Sequence, residues 1–173
     1  MIGGTAHIAG IEVNFQQHFT YLPGILSGFG VLANYSYATS QEHNLPGRSD
    51  SPALLRQAPH TWNISPTYDR GRLSLRLGLA YNGANIFSYF FQDGAPGGIH
   101  GPAGDLYLYP HLQVDAQGSF YLGKGFTAIA QGLNLNDEVF GFYFGSEPYW
   151  TQREYYQPSY TFGLRWDLHH ERP

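Results

Sequence analysis

Apolar and polar residues alternate with period two through most of this chain. Leu73-Ser74-Leu75-Arg76-Leu77-Gly78-Leu79-Ala80-Tyr81-Asn82 puts leucines and a tyrosine on one side of an extended segment and Ser, Arg, Gly, Ala and Asn on the other. Leu112, Val114, Ala116 and Phe120 alternate in the same way with Gln113, Asp115, Gln117 and Ser119. Near the end, Tyr160, Phe162, Leu164, Trp166 and Leu168 oppose Thr161, Gly163, Arg165 and Asp167. Further strands are expected at 5–21, 28–39, 58–68 and 125–135, giving seven in all. The 58–68 segment is weakened by Pro59 and Pro66, which cannot donate to a ladder. No helix of useful length is expected. The pattern predicts an all-β, antiparallel fold.

The connections alternate in length. Short turns are expected at Leu22–Ser27, Asp69-Arg70-Gly71 and Leu122-Gly123-Lys124-Gly125, and long loops at 41–57, 86–107 and 137–156. Bacterial outer-membrane barrels have short periplasmic turns and long extracellular loops. With a periplasmic C-terminus, every short turn falls on one side and every long loop on the other. Glu12, Arg76, Asp115, Arg165 and Asp167 all belong to the polar set, as expected of lumen-facing positions. A soluble sandwich would segregate its charges in the same way. Tyr21, Phe29, Tyr68, Phe126 and Trp166 lie near the short turns, and Tyr37, Tyr81, Tyr107 and Tyr109 near the long loops, as two interfacial aromatic bands would.

Composition favours the barrel over the sandwich. Charged residues make up 13% of the chain, against about 25% in an average soluble domain. Lys124 is the only lysine, while aromatic residues reach 17%. A formal charge of −4 without clustered Lys and Arg gives no sign of nucleic-acid binding. The absence of cysteine excludes a disulfide framework and thiolate metal sites. No apolar run is long enough for a transmembrane helix. The N-terminus lacks the basic and apolar regions of a signal peptide, so an exported protein is expected to extend beyond these residues.

Several segments resemble, in order and spacing, the C-terminal barrel of TonB-dependent outer-membrane receptors. They are Gly10-Ile11-Glu12-Val13-Asn14-Phe15-Gln16-Gln17 with Phe19-Thr20-Tyr21-Leu22-Pro23, Gly30-Val31-Leu32-Ala33-Asn34-Tyr35-Ser36-Tyr37, Leu45-Pro46-Gly47, Ala58-Pro59-His60-Thr61-Trp62-Asn63, Gly132-Leu133-Asn134-Leu135-Asn136-Asp137-Glu138, and Tyr155-Tyr156 with Tyr160-Thr161-Phe162-Gly163-Leu164-Arg165-Trp166. The resemblance implies that residues 1–168 are the last seven strands of a transmembrane up-and-down barrel of about 22 strands, with 169–173 a polar tail. It also implies an N-terminal plug and a TonB-contacting box, neither with a counterpart in this sequence. Implied partners are outer-membrane lipid, the plug and remaining strands, the TonB complex through that plug, and a small-molecule ligand. The implied function is active uptake of a scarce nutrient such as a siderophore, cobalamin or an oligosaccharide, without catalysis or cofactor.

Candidate ligand-binding residues are Tyr143, Tyr149, Trp150, Tyr155 and Tyr156, because aromatic faces stack well on sugars and flat chelates. The competing account is an interfacial band with loop self-packing. The histidines are scattered with no ligand spacing beyond His169-His170, so no metal site is expected. Ser74 and Ser119 lie within strands rather than in a nucleophile-type turn, and no phosphate-binding Gly-rich loop is present. Two other readings remain open: a small complete outer-membrane barrel, structural or lipid-modifying, and a soluble carbohydrate-binding β-sandwich.

Overall fold

A computed structural model describes residues 4–89 and 101–168; the 169–173 tail and the middle of the 86–107 segment lie outside them. All seven expected strands are present. They are β1 (Thr5–His18), β2 (Phe29–His43), β3 (His60–Arg70), β4 (Leu73–Asn82), β7 (His111–Gly123), β8 (Phe126–Leu133) and β11 (Ser159–Trp166). These make one antiparallel sheet in chain order, β1-β2-β3-β4-β7-β8-β11. β1 and β11 are not paired with each other, so the described residues form an open sheet and no closed barrel.

Four short strands depart from the expected long loops. β5 (Asn85–Ser88), β6 (Leu106–Leu108), β9 (Val139–Phe144) and β10 (Trp150–Tyr155) form a separate sheet in the order β10-β9-β6-β5. β2 also runs to His43, beyond the expected end at 39, because Thr5↔His43 pairing carries the β1–β2 ladder through a polar stretch. The turn before β2 holds a single 3₁₀ turn, Gly24–Gly28.

Register decides which side chains share a face, since a one-residue slip exchanges the faces of a strand. Val13 pairs with Tyr35, Tyr35 with Trp62, Trp62 with Tyr81 and Tyr81 with Leu112. Lower in the sheet Phe29 pairs with Tyr68, Leu75 with Gly118, and Phe126 with Trp166. One face is therefore apolar from β1 to β11. Pro66 does not break this order. The β3–β4 ladder lapses at Ser65–Pro66 but resumes at Thr67↔Arg76 in the same register. A missing donor costs local ladder bonds, and the alignment on either side survives.

Among the described residues no layer covers this apolar face. Ile11, Val13, Phe15, Ile64, Leu75, Leu77, Phe162 and Leu164 are among its exposed residues, Phe162 at 78%. The buried apolar side chains among the described residues, Ile86, Phe142 and Tyr143, all belong to the small second sheet. A soluble sandwich would press its second sheet over such a face and bury it.

Between β8 and β9, side chains substitute for a strand. The amide of Asn136 accepts from Val114 N (3.0 Å) and donates to the Leu112 carbonyl (2.6 Å), while Glu138 Oε1 accepts from Leu112 N (2.9 Å). Asp115 accepts from Asn134 N, and Asn134 takes a left-handed φ of 54°. The bracket keeps the upper end of β7 paired after β8 has ended. Asn136→Ala is expected to cost about 1–3 kcal/mol, the penalty for orphaned backbone groups. Faster hydrogen exchange at the Leu112 and Val114 amides would report it; unchanged protection there would rule the bracket out.

Candidate functional site

The second sheet and the 44–59 segment gather at the long-loop end of the large sheet. The chain leaves β2 through Asn44 (φ 61°) and Gly47 (φ 79°), a reversal that favours Asn and Gly because of its left-handed backbone. It then folds back: Glu42 N donates to the Pro52 carbonyl, Leu54 N to Ser40 Oγ, and Arg56 N to the Ile86 carbonyl. Residues 48–57 are thereby fixed between β2 and β5.

Arg48 is the centre of this arrangement. Its guanidinium donates to Asp50 through Nε and Nη2, both at 2.6 Å, and to Asp105 through Nη1 (2.5 Å) and Nη2 (3.0 Å). The side chains of Arg48 and Asp105 are both fully buried, while that of Asp50 is a third exposed. The fork of Arg matches two carboxylates bidentately, which Lys could not do. Hydrogen bonding from Arg48, with the opposite charge beside it, holds the Asp50 carboxyl below the usual carboxylate range against the pull of burial. Hydrogen bonds to Asp50 and Asp105 likewise push the Arg48 pKa up, so the guanidinium stays charged.

Tyrosines close the cluster. The single proton of the Tyr89 hydroxyl is shared between Glu42 (3.0 Å) and the Ala53 carbonyl (2.5 Å), and burial together with Glu42 pushes its pKa up. Tyr107 is pushed up by burial and then by Asp105. Tyr89 serves as a hydrogen-bond donor, and Tyr107 as a packing surface stacked on Tyr143. Beside them lies a cavity of about 370 Å³ lined by Ser40, Asp50, Gln57, Asn85, Asp105 and Tyr107 among others. His43 Nδ1 lies 2.9 Å from Ser51 Oγ at its margin, but among the described residues no carboxylate hydrogen-bonds the His43 ring. The pair lacks the third group that orients a catalytic base. The cavity offers hydrogen-bonding groups and a ring face for recognition.

The aromatic candidates divide. Tyr143 is 7% exposed, stacked on Tyr107 with centroids 5.3 Å apart and packed against Tyr109 at 4.6 Å. It is a core residue of the second sheet, with its ring faces already occupied. Tyr149, Trp150, Tyr155 and Tyr156 are exposed along and beside β10, the edge strand. Glu154 joins them to a polar strip: its carboxylate accepts from Tyr156 Oη and Gln152 Nε2.

Glu12, Arg76, Asp115 and Arg165 share the polar face of the large sheet, opposite Ser36, Thr67, Gly78 and Thr127. Asp167 lies just beyond β11, its N–H bonded to the Gly125 carbonyl. The register aligns these charges on one face without gathering them into one site.

Arg48, Asp50 and Asp105 were not legible as a site from sequence. The one available signal was Arg48 two residues from Asp50 in a chain with only 9 Lys and Arg; Asp105 is remote in sequence. Searches against models of protein families, curated proteins and solved structures return no match for this chain.

Proposed function

We propose that this chain is part of the wall of an outer-membrane β-barrel of the TonB-dependent receptor type, with its second sheet exposed outside the cell as a ligand-recognising surface. The observation that carries this reading is the apolar face, in register across all seven strands and covered by nothing among the described residues. In water such a face would far exceed the few hundred Å² that soluble monomers expose. Against acyl chains it is the expected surface.

Two further features agree. β4 has 10 residues, within the roughly 9–11 needed to cross a bilayer at a tilt. Aromatic pairs sit at both ends of the apolar face: Trp62 stacks on Tyr81 toward the loops, while Phe29 meets Tyr68 and Phe126 stacks on Trp166 toward the short turns. Aliphatic Ala33, Ile64, Leu77, Leu79 and Ala128 lie between them. Interfacial rings with an aliphatic middle match the layering of a bilayer. β1 and β11 each keep one free edge. Inside a bilayer such edges must pair, which calls for further strands of the same barrel. Catalysis has no part in this reading; the partners are lipid, the rest of the barrel, a plug with its TonB contact, and a scarce small nutrient at the loops.

The test is fractionation of the full-length protein. It is expected to remain in the urea-washed outer membrane, to need detergent for extraction, and to migrate differently in gels before and after boiling. A monodisperse, detergent-free monomer would return the chain to the soluble sandwich reading.

A further inference from the structure

The polar face of the large sheet holds a second, separate pocket. Register aligns Thr67 of β3, Arg76 of β4 and Gln117 of β7 in one cross-strand row, and Asp69, Ser74 and Ser119 in the next. The two rows line a cavity of about 260 Å³ near the short-turn end. One group in it is buried and unsatisfied, and one charge is unpaired. Thr67 is only 5% exposed, yet its Oγ1 is buried without a hydrogen-bond partner. The Arg76 side chain makes no ion pair or hydrogen bond among the described residues. Buried hydroxyls are nearly always paired, and an orphan calls for an explanation. Asp69, the one carboxylate in the two rows, accepts from Ser74 Oγ and is not paired with Arg76.

We propose that this pocket binds a carboxylate, with Arg76 as its counter-charge, Gln117 and Ser119 as neighbouring donors, and Thr67 at its floor. The guanidinium fork suits the two oxygens of a carboxylate. Asp69 in the adjoining row offsets the charge of Arg76, which favours a monoanion over a phosphate dianion. Gly30, opposite Thr67, keeps the surroundings tight: a Cβ there would stand 2.7 Å from Thr67 Oγ1 and 3.0 Å from His18 Nδ1. The carboxylate belongs either to a free small molecule or to a side chain from another segment of the same polypeptide. The pocket depends on register and unsatisfied groups, and so stands whether or not the opposite face meets lipid.

The experiment uses the full-length protein in detergent. Its unfolding midpoint is followed in sodium acetate, sodium phosphate and sodium chloride at equal ionic strength, and a photo-reactive benzoylphenylalanine at position 78, on the same face but outside the pocket lining, reports any neighbouring segment. If the carboxylate is a free molecule, acetate raises the midpoint more than phosphate does. Arg76→Gln then weakens acetate binding by about tenfold or more, and Arg76→Lys by less. If it is a side chain, acetate has no effect, and the probe cross-links within the chain unless Arg76 is replaced by Gln. Arg76 lies exposed on the sheet, so neither substitution should prevent folding. The absence of both an acetate effect and an Arg76-dependent cross-link would overturn the proposal, as would phosphate binding more tightly than acetate, or an acetate effect that survives Arg76→Gln.

Discussion

Leu77→Arg is expected to abolish accumulation of the folded protein in the outer membrane, while Gly78→Ser one residue away leaves it unchanged. Leu77 lies opposite Ala116 at mid-strand on the apolar face, and Gly78 lies opposite Asp115 on the polar face. Placing Arg on the lipid side near the bilayer midplane costs about 2–4 kcal/mol, a large part of the stability of a folded domain. At Gly78, an added Cβ would find Asp115 Cβ at 3.8 Å, an ordinary contact. The pair discriminates between solvents. If the apolar face met water, Arg at position 77 would be an exposed surface change of little consequence. Normal levels of heat-modifiable Leu77→Arg protein would falsify the membrane assignment of this face.

The second large effect is expected at Arg48. Arg48→Met removes the counter-charge of Asp105, whose side chain is fully buried. Breaking a buried pair from one side costs about 3–5 kcal/mol, because the remaining charge keeps its desolvation penalty. The loss should appear first as protease cutting within residues 44–59, since the cluster holds that segment to the second sheet. Adding Asp105→Leu should restore part of the resistance, because the buried carboxylate that has lost Arg48 is then gone. Resistance unchanged in Arg48→Met would refute the role of the cluster as the tie between the two segments. Acid tests it independently. Arg48 holds the Asp50 carboxyl below its ordinary value of 3.8. A lowered folded-state pKa gives stability that is fully present above that ordinary value and is lost as pH falls through the lowered one. The segment should therefore stay protected at pH 5 and become cleavable only under stronger acid.

Sequence periodicity located the large sheet because every strand in it has two unlike faces. Leu73–Asn82 could be placed by alternation alone, and the same rule put Glu12, Arg76, Asp115 and Arg165 on one face. It failed for the second sheet for a reason in the same physics. Val139-Phe140-Gly141-Phe142-Tyr143-Phe144 has no polar positions to alternate with, and Gly141, Phe142 and Tyr143 are all buried. β5 and β6, at four and three residues, are too short to display a period. The ion cluster was invisible because Asp105, 57 residues from Arg48, is brought to it only by the tertiary fold. Of the aromatic candidates, sequence supplied the residue type but not which rings were already spent on packing, as those of Tyr143 are.

The long-loop strands stand outside the main ladder: the chain leaves the wall at Asn82 and returns opposite it at His111, and leaves again at Leu133 to return opposite it at Ser159. Each excursion begins and ends at one paired position, so apart from the 134–138 bracket its length and content do not set the alignment of the strands below. Outside the Asn134–Glu138 bracket that holds the upper end of β7, insertions, deletions or exchange between those paired ends can be accommodated without disturbing the register of the large sheet. Mutation can thus explore new recognition surfaces on an unchanged scaffold, and diversity among descendants of such a gene should concentrate between these paired ends while the paired strands drift only within their faces.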